Sequence, residues 1–557
     1  MPRDREQAAG STAGPTAARS ARERPWSTRT PDGRLDYIVI GSGMGGMCCA
    51  ALLAKLGKRV LVLEQHYEPG GFTHTFKRKG FRWDVGVHAV GEVTERAMPG
   101  RLLAALTDGR LRWTSLGPVY DEFYWPDNFR IDFPDTPEQF KANLIAAFPN
   151  EVEAIETWFR LAREAAGGMR GYYLSRALPP GLGRHAEKLL ARKAAHMFER
   201  RTADVLAELT DDPRLRAVLV SQWAYYGSPP SRSSFAMQAL VTRHFQWGGY
   251  YPVGGSQAIA HELLQTVAAN GGWTKIRADV EEILIEDNAA VGVRLRGRDG
   301  EDGEIIRADR IVSAAGVWAT VERMLPAEVA EQDWARSIAK LDPAPPHVCL
   351  YLGFEGDIRK AGAGAANKWF YETWDTEVDA WDVSPGQPIP RAPVLYCSFP
   401  SLKDPEHDPG PRVRHTGEVV TFVPWKVFDR WRGSRWQRRD VDYDAFKREL
   451  HEALLRQYLE YMPGLADMIV HAELSTPLTT DWFVRPQAGS IYGLEPTPER
   501  FRNPWLRPRS PIGNLFFAGA EVSTVGVIGA MMGGVLAAVS AEPIAAMKLL
   551  SRLDGVR

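Results

Sequence analysis

Three glycines and one acid pose the first chemical question. Gly41, Gly43 and Gly46 follow the apolar run Tyr37-Ile38-Val39-Ile40, and Glu64 stands 18 positions after Gly46. Gly41 permits a tight turn out of a strand, Gly43 lets backbone approach a bulky anion, and Gly46 lets the next helix pack closely on the sheet. That helix, predicted over 44–56, turns its N-terminal N–H groups and positive dipole end toward a phosphate. A second strand, predicted over 59–63, delivers Glu64. A carboxylate there can accept hydrogen bonds from ribose hydroxyls and disfavours a 2′-phosphate. This is the chemistry of holding a dinucleotide by its pyrophosphate and ribose.

The motif alone does not separate FAD from NAD. Directly after the acid come Pro69-Gly70-Gly71-Phe72-Thr73-His74 and then Asp84-Val-Gly86-Val-His88. A second glycine turn against the cofactor is more typical of FAD proteins, and a plain hairpin turn is the alternative reading. Near the other end, Asn514-Leu-Phe-Phe-Ala-Gly519-Ala-Glu521 reads as a strand ending in glycine and an acid, followed by a small-residue helix from Gly526. Glu521 can hold ribityl hydroxyls, and the helix start at 526–528 can face the pyrimidine edge of a flavin, where the reduced ring carries negative charge. His74, His88 and Tyr492 are the candidate proton donors. For each the alternative is a hydrogen bond to backbone or simple packing.

Around these residues the chain has the elements to position them. Four consecutive apolar residues at 37–40 suit a strand buried on both faces. Residues 151–245 read as mainly helical, with Asp211-Asp212-Pro213 as a cap. Gly248-Gly249-Tyr-Tyr-Pro252-Val-Gly254-Gly255 is a sharp break, and Ser256 to Asn270 reads as a helix that Ser256 can cap. Strands follow at 274–277 and 280–285, then a hairpin about Arg298-Asp-Gly, then a buried strand over 310–316. The nucleotide fold is therefore split, with its halves at 35–90 and 250–320. Val525 to Val539 is apolar but only 15 residues long, against about 20 needed to span a bilayer. It reads as a buried helix.

Length and composition bound the rest. At 557 residues the chain should hold two or three domains. A net charge of −1 offers no global field for nucleic acid. Cys48, Cys49, Cys349 and Cys397 form no CxxC pair and no metal-ligand spacing, so no metal is expected and a reducing compartment is the default. Residues 1–34 lack apolar periodicity and a signal-type apolar core, and read as a disordered tail. Asp4, Glu6 and Glu23 argue against a transit peptide. Between 170 and 201, eight Arg and Lys stand against two Glu, interleaved with Tyr172, Tyr173, Leu189, Leu190 and Phe198. Such a stretch can lie on anionic lipid, or form a solvated basic helix face.

Taken together, Gly70-Gly-Phe-Thr-His-Thr-Phe76, Asp84-Val-Gly-Val-His88, Tyr226-Gly-Ser-Pro, Ser234-Phe-Ala-Met237, Gly249-Tyr-Tyr-Pro-Val-Gly-Gly255, Thr476-Pro-Leu, Tyr492-Gly493 and Asn514 to Glu521 resemble the FAD-dependent family of phytoene desaturases, carotenoid isomerases and all-trans-retinol 13,14-reductases. The likeness spans 35–545 and is greatest to the retinol saturase branch. It implies an α/β fold. A Rossmann-like FAD-binding domain of the glutathione-reductase-like, amine-oxidase and phytoene-desaturase type would carry an inserted α+β substrate domain and a helical, membrane-contacting region.

The expected division is a tail at 1–34, FAD-binding parts at 35–94, 248–340 and 481–557, a helical substrate and membrane-contacting region at 95–247, and a second substrate part at 341–480. By the resemblance, Gly41, Ser42, Gly43 and Gly46 hold the pyrophosphate, Glu64 the ribose, Val280 the adenine through its backbone, and Glu521 the ribityl chain, with Ile528 by the ring. Met44, Gln65, Gly71, Thr73, Gly519 and Val527 complete the candidate FAD set. The family usually has Asp where this chain has Glu521, which preserves charge and lengthens the reach.

The expected activity is hydride transfer at flavin N5 that hydrogenates or dehydrogenates an apolar polyene. NAD(P)H would visit transiently as electron donor, since no second glycine motif marks a site for it. A carotenoid isomerase, an amine-oxidase-like enzyme and a non-catalytic flavin-containing lipid binder are the rivals. The expected location is cytoplasmic, peripheral on the inner face of a membrane.

Overall fold

A parallel five-stranded sheet holds both ends of the chain together in the computed structural model. The model describes residues 24–554 apart from 180, 182, 184, 185, 187, 188, 190, 191 and 298–300. The strand order is Leu515–Phe517, Arg310–Ser313, Tyr37–Ile40, Val60–Glu64, Trp273–Ile276. Tyr37–Ile40 is central and buried along its whole length. Tyr37 pairs with Val60 on one side and Arg310 on the other. The second strand starts one residue later than the sequence pattern suggested, which makes Glu64 its last residue.

Helix Met44–Lys55 is buried at every position except Lys55. It packs against helices Gln257–Ala269 and Gly526–Ala541. Glycine makes the approach possible. A Cβ on Gly46 would stand 2.0 Å from the Gly41 carbonyl oxygen, and one on Gly534 would stand 2.1 Å from that of Gly45. Backbone therefore meets backbone at both contacts, which no larger residue allows. Cys48 and Cys49 are buried in this helix.

Two local expectations need correction. Ser256 does not cap the helix that follows. Its backbone is itself helical, and its hydroxyl donates to Asp84 Oδ1 at 2.5 Å. A fully buried carboxylate needs donors more than a helix end needs a cap. The segment read as a disordered tail also contains structure over 24–34. Trp26 is buried with its ring edge-on to His261, and Ser27 forms a parallel bridge to Lys275 on the sheet edge. Residues 1–23 lie outside those described. So does the hairpin turn at 298–300, although its strands Ala289–Leu295 and Ile305–Arg307 pair antiparallel.

A second sheet has seven strands in the order Ile469–Ser475, His347–Glu355, Arg414–Phe422, Val394–Ser398, Asn367–Tyr371, Val119–Trp125, Phe129–Pro134. All its pairings are antiparallel except 119–125 with 367–371. The two chain segments that flank the second half of the nucleotide fold thus share one sheet. Helices Val152–Ala177, Arg192–Glu199 and Phe235–His244 contribute to an aromatic-rich core with it, including Phe123, Trp158, Trp223 and Trp369. Among the described residues no helix is long and apolar enough to cross a membrane.

Replacing Gly534 with valine should force the 44–55 and 526–541 helices apart. Overpacking of this kind costs about 1–3 kcal/mol. Equilibrium denaturation of Gly534→Val should show that loss, and wild-type stability would contradict the backbone contact.

Candidate active site

One cavity of about 980 Å³ is lined by residues of both the parallel sheet and the seven-stranded sheet. Gly41, Gly43 and Met44 line it from the first turn, Glu64 and Gln65 from the end of the second strand, and Gly71, Thr73 and His74 from the second glycine turn. Val280, Gly519, Glu521, Val527 and Ile528 line it from the later elements, as do His88 and Tyr492. Of the candidate FAD-contact and proton-donor residues, Ser42 and Gly46 alone do not. Gly46 lies under the turn, and Ser42 points at Glu64.

Ser42 has a definite job there. Its N–H and Oγ both donate to Glu64 Oε2, at 3.0 and 2.6 Å, and Oε1 accepts the His66 N–H at 2.8 Å. The carboxylate is thus held still at the end of its strand. Ser42 Oγ also accepts the Gly70 N–H at 3.0 Å, and a Cβ on Gly71 would stand 3.0 Å from Gly43 Cα. The second glycine turn packs directly on the first.

The cradle fits a dinucleotide on its own geometry. The helices starting at Met44 and Gly526 follow Gly43 and Val525, neither of which supplies a side-chain cap. Their N-terminal N–H groups and positive dipole ends face the same cavity and are suited to anionic or carbonyl groups. A Cβ built on Gly43 meets nothing within 4 Å, so the space above it is open. Ser490 Oγ and Gln487 Oε1 line the cavity, buried and without a partner among the described residues. Glu521 is held by backbone at the edge of the cavity. Its Oε2 reaches the N–H groups of Val317 and Trp318, at 2.5 and 3.2 Å.

The three candidate donors differ sharply. His74 Nδ1 lies 2.6 Å from the Gly71 carbonyl oxygen and is committed to that turn. Tyr492 donates to the Ala224 carbonyl at 3.0 Å, and burial raises its phenol further above its ordinary range. His88 faces the cavity with its Nδ1 3.0 Å from Glu418 Oε2. Burial and the charge of Lys403 lower the imidazole to about 3, so it is neutral.

Behind His88 lies a buried polar cluster that sequence reasoning missed. Asp84 accepts Ser256 N–H at 3.1 Å, Ser256 Oγ at 2.5 Å and the Tyr251 hydroxyl. Asp121 accepts from Gln222 at 2.9 Å, Tyr225 at 2.9 Å and Asn367 at 2.8 Å. Lys403 donates to the His88 carbonyl at 2.8 Å, Ser398 Oγ at 2.7 Å and Asn367 Oδ1. One signal was available. Glu418 is the only charged residue between His415 and Phe422 in an otherwise strand-like run.

A sequence model of the family described as flavin-containing amine oxidoreductase matches residues 44–541. The chain is similar to a Danio rerio protein named all-trans-retinol 13,14-reductase, at 31% identity over 525 residues, covering 91% of this chain and 86% of the relative. It is also similar to a prolycopene isomerase from an Oncidium hybrid cultivar, at 27% identity over 83% of this chain and 75% of the relative. Among solved structures, cyclohexylamine oxidase from Brevibacterium oxydans has the same fold, with a TM-score of 0.58 and 19% identity over 93% of this chain and 100% of that one.

Gly43→Ala should separate fold from cofactor. The new methyl meets no protein atom, so stability without cofactor should stay within about 0.5 kcal/mol of wild type. Flavin absorbance per polypeptide should fall, because the methyl occupies the space above the helix start. Unchanged flavin content would put the phosphates elsewhere.

Proposed function

The chain belongs to the flavin-containing amine oxidoreductase family, and from that premise we propose that it reduces a carbon–carbon double bond of a long apolar polyene of carotenoid, retinoid or related isoprenoid type. That it is an FAD-dependent oxidoreductase follows from the family and from its similarity to the retinol reductases. The observation that carries the substrate reading is the shape of the cavity. It continues from the glycine cradle past Met169, Tyr173, Leu240, Val241, Phe245 and Trp369. Such a lining gains free energy by taking apolar chain out of water, at about 25 cal/mol per Å².

When bound, the flavin supplies hydride to one carbon of the double bond. The chain's own residues do the rest. The helix starts at Met44 and Gly526, with Glu64 and Glu521, hold and orient the cofactor. The apolar walls hold the polyene and exclude water. His88 gives the accompanying proton, since His74 Nδ1 and the Tyr492 hydroxyl already serve backbone carbonyls. NAD(P)H is the proposed electron donor, visiting from solvent. The isomerase-type relative supports a second reading, in which the same site shifts a double-bond geometry without net reduction.

An apolar substrate must be drawn from lipid, and the protein is proposed to rest on a membrane through 170–201. Arg170 and Leu174 line the cavity and are exposed, as are Leu178, Leu189 and Arg192. Helix Pro543–Asp554 also carries exposed Ile544 and Met547, and Met547 lines the same cavity. Arg184, Lys188 and Leu190 of that stretch lie outside the described residues. Peripheral attachment on the inner face of the membrane is the corresponding location.

Mass spectrometry of lipids from cells with and without the protein tests the reaction. Reduction predicts a polyene heavier by two daltons. An isomer of unchanged mass favours the second reading, and no change in either sinks both. Flotation with anionic vesicles tests the surface: the Arg170→Glu, Arg192→Glu double variant should float less than wild type. Equal flotation removes the membrane proposal.

A further inference from the structure

We propose that Glu418 is the proton reservoir of the site: its carboxyl hydrogen passes to His88 Nδ1 as His88 Nε2–H is given to the substrate carbon. The inference deepens the proposed reduction and rests on it for the identity of the acceptor. It begins from geometry. Glu418 is fully buried in strand Arg414–Phe422, and its Oε2 stands 3.0 Å from His88 Nδ1. Neither atom has a formed hydrogen bond to any other described residue. The pair is close enough to share a hydrogen but not yet aligned, as is common before a substrate fills such a site.

The surroundings say where that hydrogen sits. Burial and the neighbouring Glu418 push the Asp84 carboxyl up, but its three donors oppose that and favour its carboxylate form over that of Glu418. Glu418 receives only the Asp84 N–H, at 3.0 Å on Oε1. A second carboxylate beside Asp84 with that single donor, and none on Oε2, is the one that protonates. Burial pushes the Glu418 carboxyl up to about 8, against the pull of Lys403. Since His88 is neutral, a single hydrogen between Glu418 and Nδ1 belongs to the acid, and the ring carries its own at Nε2.

The other titratable groups around the pair do not compete. Cys349 and Tyr351 on the neighbouring strand, with Tyr251 and Tyr396, are pushed up by burial and stay neutral. His347, on which His88 acts, is lowered by burial to about 4. Among the described residues Lys403 is the one cation facing the pair, lowered by burial to about 8.

The step balances. The π electron pair of the double bond forms the new C–H bond with the hydrogen leaving Nε2. Nδ1 takes the Glu418 hydrogen, so the imidazole ends neutral in its other tautomer. Glu418 is left a carboxylate facing the Lys403 ammonium, and a proton from water returns through the cavity before the next turnover. Glu418 acts through His88 and does not touch the substrate.

Glu418→Gln is the informative variant. A glutamine can still accept the Asp84 N–H and donate to Nδ1, so it keeps the arrangement and cannot give up a proton. Infrared difference spectra of the flavin-loaded protein at pH 7 should show a protonated carboxylic carbonyl band. That band should shift in D₂O, vanish as pH rises through about 8, and be absent from Glu418→Gln. No band removed by the substitution would overturn the proposal whatever the substrate. In parallel, dithionite-reduced enzyme is mixed anaerobically with all-trans-retinol. Wild-type reoxidation should be flat with pH below about 8 and fall above it, because the reservoir empties there. Glu418→Gln should be slower by about 10²-fold and lose that limb, while Glu418→Asp recovers part of both. A wild-type rate and profile in Glu418→Gln would also overturn it. If all-trans-retinol reoxidises neither protein, the substrate reading fails and the infrared result still decides the reservoir.

Discussion

Backbone against backbone at Gly45 and Gly534 is the contact on which the site depends. It ties the helix that begins at Met44 to the helix that begins at Gly526, nearly five hundred residues later. Only glycine at these positions allows that spacing. Because the helices cross so closely, their uncapped N-termini open on one cavity, one beside Glu64 and the other beyond Glu521. Two positive helix ends aimed at a shared space are unfavourable without a partner. A ligand anionic at one end and carbonyl-rich at the other relieves both.

The part of the site that sequence made legible is the part with local rules. A strand, glycine turn and helix need particular residues within a few positions of each other, so Gly41 to Gly46 and Gly519 to Ile528 announce themselves. Glu64 was legible for the same reason, by its distance from the last glycine. What Ser42 does was not. The resemblance gave it to phosphate, whereas the fold turns it onto Glu64, a choice set by the approach of strand and turn. Ser256 failed likewise: helix-capping chemistry is local, but the stronger demand came from Asp84, 172 residues away. The order of the seven-stranded sheet was hidden for a related reason, since Val119–Trp125 pairs in parallel with Asn367–Tyr371 and nothing local marks so distant a partner.

Polar groups in the cluster behind His88 are tolerated because each is saturated, even though burial pushes the Asp84 and Asp121 carboxyls up. Asp84 and Asp121 each have three donors, and Lys403 has three acceptors. Burying an ion costs several kcal/mol unless such partners are present. Removing one partner is therefore far worse than removing a surface charge, and the network joins Asp84 and His88 to the second sheet. Lys403 is central to this. It joins the His88 carbonyl on the nucleotide side to Asn367 and Ser398 on the sheet.

Glu418 is the exception in that network, and the exception has a physical use. An apolar cavity must present no naked charge to a polyene, because desolvating an ion against hydrocarbon opposes substrate entry. It must nonetheless deliver a proton when electron density develops at carbon. A neutral acid behind a neutral imidazole meets both demands: the wall at His88 is uncharged at rest, and charge appears only behind the ring, where the Lys403 ammonium faces it. An exposed acid would ionise at neutral pH, and a tyrosine bonded to a carbonyl, as Tyr492 is, has its hydrogen already placed. The same burial that makes Glu418 a poor anion thus makes it a usable donor, and its position on strand Arg414–Phe422 keeps it out of contact with the substrate it serves.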